Sequence, residues 1–133
     1  MSVAEYQTRW IDGLNRGDVS GADAAFAPDC VFHVTGVADK LVGVAAWKAF
    51  VQAFLTAFPD IQFTMTDEAV NGNRVAMRWI AHGTHTGPLG PLPPTGRNIS
   101  IDGLIMDRVE NGRVVERWEQ FNQPAMLQQL GVQ

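Results

Sequence analysis

The sequence predicts an α+β domain: N-terminal helices packed on a strongly curved, mainly antiparallel mixed sheet that encloses a cone-shaped pocket. Three observations carry this. Apolar residues recur at helical spacing before Pro59 and alternate with period two after it. Asn-Gly pairs at 71–72 and 111–112 sit between stretches of that alternation, as hairpin turns do. Finally, 133 residues, 46% of them hydrophobic, suffice for one core and not for two, so residues 1–133 read as a single domain.

Each element follows from its residues. Ser2 and Glu5 make a capping box, Val3, Tyr6, Trp10 and Leu14 recur at helical spacing, and Asn15-Arg16-Gly17-Asp18 ends the helix. A short helix over about 20–26 closes at Pro28, and Cys30 to Thr35 reads as a strand. Trp47, Val51, Phe54 and Phe58 form the apolar stripe of a third helix. Ile61, Phe63 and Met65 then alternate with polar neighbours, and Asn71-Gly72 predicts a type I′ turn into a strand over 74–85. The run from Gly87 to Gly96 holds too many prolines and glycines for a ladder and reads as a stiff loop, a candidate lid. Strands over 98–110 and 113–122 flank Asn111-Gly112, and Pro124 with Leu127 and Leu130 marks a closing helix. A long twisted sheet wrapped around a helix leaves a conical hollow, which is where a ligand would sit.

Composition excludes several functions. Ten Lys+Arg against fourteen Asp+Glu give a net charge of −4 without a basic cluster, which argues against nucleic-acid binding. Cys30 alone allows neither an intrachain disulfide nor a multi-cysteine metal site, and it reads as a small buried thiol. No signal peptide and no membrane-length apolar run is visible, so a cytoplasmic protein without membrane partners is expected.

Gly83-Thr84-His85-Thr86-Gly87, Pro94-Thr95-Gly96-Arg97, Asn111-Gly112-Arg113 and Trp118-Glu119 together resemble the signature of SnoaL-like polyketide cyclases, of the nuclear transport factor 2-like superfamily. Leu14-Asn15-x-Gly17-Asp18 and Phe26-Ala27-x-Asp29 extend the likeness over nearly the whole chain. The resemblance implies a cone with a deep apolar pocket, a homodimer, and no metal or organic cofactor. It also implies an intramolecular aldol closure in which a carboxylate removes an acidified α-proton. That carboxylate belongs four residues after the tryptophan of the Trp-Glu pair, where this chain has Asn122, and an amide cannot take a proton at neutral pH. The Arg-x-Asp pair of the related epoxide hydrolases falls on Trp79 and Ala81, so the chain does not resemble those enzymes, and Trp10 stands near the isomerases' oxyanion-binding tyrosine.

Candidate residues follow. Asn122 shares a strand face with Trp118 and Gln120, and if that face lines the pocket all three reach a ligand, unless Asn122 merely completes a backbone network. His85 at the end of its strand is either an acid/base at the pocket rim or a histidine that fixes the following loop. His82 and His85, three apart on one strand, point to opposite faces, so no metal site is expected. His33 is a further candidate base, or an exposed or core histidine. Asp102 interrupts an apolar strand and is either the missing base or, opposite Ile101, solvent-facing. Asp107 and Arg108 read as surface ion pairs. Trp10, Trp79 and Trp118 are candidate walls for a flat apolar or aromatic molecule, and Trp47 reads as core. Two classes of function follow: a cyclase or isomerase acting by proton transfer on an apolar carbonyl substrate, or a non-catalytic apolar-ligand or dimerisation module. A hydroxylase-like relative is a third.

Overall fold

The structure, a computed structural model, describes residues 3–132, with side chains from Thr8 onward. The Ser2–Glu5 capping box and the side chains of Val3 and Tyr6 lie outside the described residues. In chain order the elements are α1 (Val3–Asn15), α2 (Ala22–Ala25), β1 (Phe26–Val34), β2 (Leu41–Val42), α3 (Val44–Ala57), β3 (Gln62–Asn71), β4 (Arg74–Thr84), β5 (Asn98–Glu110), β6 (Arg113–Phe121) and α4 (Gln123–Gln129). The strands form one open sheet of order β2-β1-β6-β5-β4-β3. Every neighbouring pair is antiparallel except β1 with β6, the first long strand with the last. The α+β class and the curved mixed sheet are therefore as the sequence predicts.

Local chemistry fixes the helix ends. Around Gly17, at φ +76°, the Gly17 N–H reaches the Leu14 carbonyl and the Asp18 N–H reaches the Gly13 carbonyl, a Schellman closure of α1. The Asn15 side chain then acts like a strand neighbour for β3: its Nδ2 donates to the Phe63 carbonyl at 3.0 Å and its Oδ1 accepts the Phe63 N–H at 2.7 Å. This ties α1 to the sheet beside the pocket. The core is aromatic: Trp47 stacks on Phe32 with centroids 4.5 Å apart, and Trp10 meets Phe26 edge-on at 5.4 Å. Cys30 is buried there, and desolvation pushes its thiol up to about 12, so it is inert.

Three boundaries differ from the sequence expectation. β1 begins at Phe26 and runs through Pro28, because its pairing with β6 is interrupted between Phe26 and Val31, where a residue lacking an N–H breaks no ladder bond. The β3–β4 turn is Gly72-Asn73 rather than a type I′ Asn71-Gly72: Asn71 still pairs with Arg74, Gly72 has φ +60° and Asn73 is not at positive φ, the type II′ pattern. At Asn111-Gly112 both residues do have positive φ, 52° and 77°, as type I′ requires. β6 ends at Phe121, and Asn122 belongs to the next helix.

Candidate active site

The sheet's concave face, α1 and α3 line a cavity of about 70 Å³. Trp10, Ile11 and Leu14 come from α1, Trp47, Phe50, Val51 and Phe54 from α3, and Trp79, Ile101 and Ile105 from the central strands. Phe50, Phe54, Phe63 and Phe121 line it while remaining half-buried, so the aromatic wall reaches solvent on that side. Arg117 and Glu119 are the charged residues lining this apolar space.

β6 therefore turns the opposite face inward from the one expected. A regular two-residue hairpin would pair Asp107 with Glu116, putting Glu116, Trp118 and Gln120 on the face of Ile105. Instead the register slips between Val109↔Val114 and Arg108↔Glu116, leaving Val115 as the extra residue of a bulge. One added residue reverses every later side chain, so Arg117, Glu119 and Phe121 face in.

Asp107 pairs directly with Arg117 across the strands, and both side chains are buried. Arg117 Nε and Nη2 donate to the two Asp107 carboxylate oxygens, each at 2.8 Å, and the guanidinium lies 4.8 Å from the centroid of Phe26. Arg117 Nη1 faces Glu119 Oε1 at 3.8 Å, an ion-pair distance without a hydrogen bond. The Glu119 side chain is only 13% exposed. Burial pushes its carboxyl up to about 7; Arg117 opposes this, Asp107 adds to it, and the nearby Trp79 N–H favours the ionised form. A carboxyl balanced between its two forms near neutrality can both accept and return a proton.

The predicted site residues do not come together in one place. Trp10 and Trp79 line the cavity. Trp118, Gln120, His33 and Asp102 sit on the outer sheet face, away from it. His33 Nε2 and Glu116 Oε2 are 2.8 Å apart, and the His33 ring stacks on Trp118. Asp102 is exposed, in agreement with the solvent alternative. His85 is fully buried outside the cavity lining: its Nδ1 accepts the Thr95 N–H at 3.1 Å, so it fixes the loop. That loop is not a lid, since none of its residues lines the cavity, and Thr86 and Gly87 donate instead to the Ala57 carbonyl at the end of α3. Asp107 is buried rather than at the surface, while Arg108 pairs with Glu110 and Glu116 on the outer face. Among the described residues, no three His, Cys, Asp or Glu side chains are grouped as a metal would need.

Asn122 is an exposed N-cap of α4, its Oδ1 accepting the Ala125 N–H at 3.1 Å. Aspartate caps equally well. Asn122→Asp is accordingly expected to change thermal stability and activity by less than about twofold, with no new base gained. A large rate increase in that variant would return this position to the mechanism.

Sequence reasoning missed Glu119, Arg117 and Asp107 and assigned Trp47 to the core alone. Asp107 was accessible: it shares the parity of Ile99, Ile101 and Ile105, the buried set of its strand. Nothing in the sequence marks the bulge at Val115.

Comparison with known proteins adds a family. The model of the SnoaL-like polyketide cyclase family matches residues 4–130. The crystal structure of wild-type IdmH, a candidate polyketide cyclase from Streptomyces antibioticus, is 33% identical, with a TM-score of 0.82 over 97% of this chain and 98% of that one. AclR, a candidate hydroxylase from Streptomyces galilaeus, is 29% identical, with a TM-score of 0.83 over 98% and 83%. TsrD from Streptomyces laurentii, 21% identical with a TM-score of 0.86 over 98% and 96%, shares the fold. No curated protein matches by sequence. No helix among the described residues is long and apolar enough to cross a membrane.

Proposed function

This chain belongs to the SnoaL-like polyketide cyclase family, and from that premise we propose that it is a cofactor-independent cyclase or isomerase in which Glu119 moves a proton on a small, apolar, carbonyl-bearing substrate. The observation that carries this is a carboxyl oxygen enclosed in an aromatic cavity, its acid pushed up to about 7. Glu119 as carboxylate takes the α-proton, and the resulting carbon nucleophile closes on a second carbonyl of the same molecule. The Glu119 acid then protonates the new alkoxide, which restores the enzyme and needs no external reactant. The non-catalytic alternative was motivated by Asn122 standing where a carboxylate was expected; Glu119 supplies one.

Deuterium exchange tests the reading. In D₂O, cyclopentanone should lose α-protons faster with the protein than without, on a limb rising with pH through about 7 as Glu119 ionises. A rate independent of the protein would overturn the proposal. The likeness to AclR supports a second reading, a hydroxylase-like relative. A product one oxygen heavier than its substrate would favour that chemistry, and a product of unchanged or dehydrated composition the cyclase.

We also propose a homodimer through the outer sheet face. Val115 and Phe121, which alternate away from Trp118 in the sequence, do not contribute to it: Val115 is the bulge and Phe121 faces the cavity. Leu104 and Met106 are 59% and 39% exposed on that face, and Met106 lies opposite Trp118 across the strands. Light scattering at high micromolar concentration should give twice the chain mass, and Leu104→Arg with Met106→Arg should halve it. A wild-type monomer would contradict this.

A further inference from the structure

We propose that Trp79 and Glu119 together form a subsite for a ligand carbonyl, the Trp79 indole N–H donating to the oxygen while Glu119 addresses the adjacent C–H. This rests on the proton-transfer reading of Glu119 and adds the group that receives the charge developing on oxygen.

The two residues meet in one cavity. Trp79 is 5% exposed, its Nε1 is buried, and that N–H has no hydrogen-bond partner in the protein. Glu119 Oε1 is likewise enclosed without a hydrogen-bond partner, with Arg117 Nη1 at ion-pair distance. Both groups line the cavity, and the indole N–H is close enough to favour the ionised carboxylate without closing a hydrogen bond to it. A donor and an acid/base group side by side, each buried and without a hydrogen bond from the protein, fit an acceptor oxygen that has an acidic hydrogen on the neighbouring carbon. Leaving a buried donor unpaired is costly, and an arriving carbonyl relieves that cost.

The ring is also fixed. Trp79 lies over Gly103, its cross-strand partner, so closely that a Cβ there would sit 2.4 Å from the indole carbons. Phe63 meets it edge-on at 5.6 Å. A donor held before the ligand arrives needs no reorganisation as charge develops, which is what makes such groups effective in apolar sites. Unlike a protonated side chain, the indole N–H donates at every working pH. Ionised Glu119 beside it repels a ligand carboxylate, so the chemistry selected is a neutral ketone or aldehyde.

The test pairs cyclopentanone with methylenecyclopentane, of matching shape but without the acceptor, at pH 8.5, where Glu119 is ionised. Binding is followed through the indole ¹H–¹⁵N resonances, with Trp79→Phe identifying the Trp79 signal. Saturating ketone should move that signal downfield and the hydrocarbon should not. Trp79→Phe should weaken the ketone about tenfold more than it weakens the hydrocarbon, whose retained binding also reports that the cavity is intact. Equal weakening of both, an unmoved Trp79 resonance, or no saturable ketone binding would overturn the subsite. The two readings fail separately. Exchange lost in Glu119→Gln with ketone binding indifferent to Trp79 removes the subsite alone. Ketone-selective binding through Trp79 without any exchange upholds the subsite and removes the proton transfer.

Discussion

Glu119→Gln is expected to lower the rate of α-proton exchange by about 10²–10⁴ while making the folded protein more stable at pH 8. The amide keeps the shape but neither accepts nor returns a proton. The stability gain follows from linkage. The folded carboxyl titrates at about 7 against an ordinary 4.5, so between those values the unfolded chain has released a proton that the folded chain retains. Stability contributed by this group is whole below about 4.5, falls as pH rises, and is fully lost above about 7. Glutamine avoids that loss, which at pH 8 amounts to about 3 kcal/mol, the opposing attraction of Arg117 being already contained in the shifted value. Urea unfolding of both proteins at pH 4 and pH 8 checks it: curves that coincide at pH 4 should separate at pH 8. Equal stability at both would mean that Glu119 is not desolvated.

Asp107→Asn should have the other large effect. Its carboxylate neutralises Arg117 through two bonds of 2.8 Å inside the core. Removing one partner of a buried pair costs about 3–5 kcal/mol, because the remaining charge stays desolvated. The freed Arg117 field then falls on Glu119 3.8 Å away, and its pKa should drop, moving the exchange limb to lower pH. Asp107→Asn with Arg117→Gln, which removes both charges, should return the limb toward its original position. A limb unmoved in the single variant would make the pair purely structural.

The contrast between fold and site has a physical origin. Helix stripes such as Trp47, Val51 and Phe58, and turns such as Asn111-Gly112, act over a few residues, and a sequence displays them directly. β5 is accordingly observed over the span expected, Asn98–Glu110. Alternation is different, since it divides β6 into two sets without saying which faces in. Trp118 reads as the inward residue and Arg117 and Glu119 as outward ones, and a bulge-free hairpin agrees. The bulge at Val115 reverses them. Arg117 can then stay buried only because Asp107 and the Phe26 ring meet it there. That compensation depends on a contact between two strands, and no local pattern announces it. Trp10 and Trp79 were legible because a strand or helix without a bulge carries each inward.

The most direct test of this account is a ¹³C NMR titration of the glutamate side-chain carboxyls, with Glu119→Gln identifying the resonance concerned. The predicted result is one carboxyl titrating with a midpoint near 7, absent from the variant. A Glu119 midpoint near the ordinary 4.5 would contradict it, because that carboxyl would then be solvated and the cavity would hold no acid poised for proton transfer.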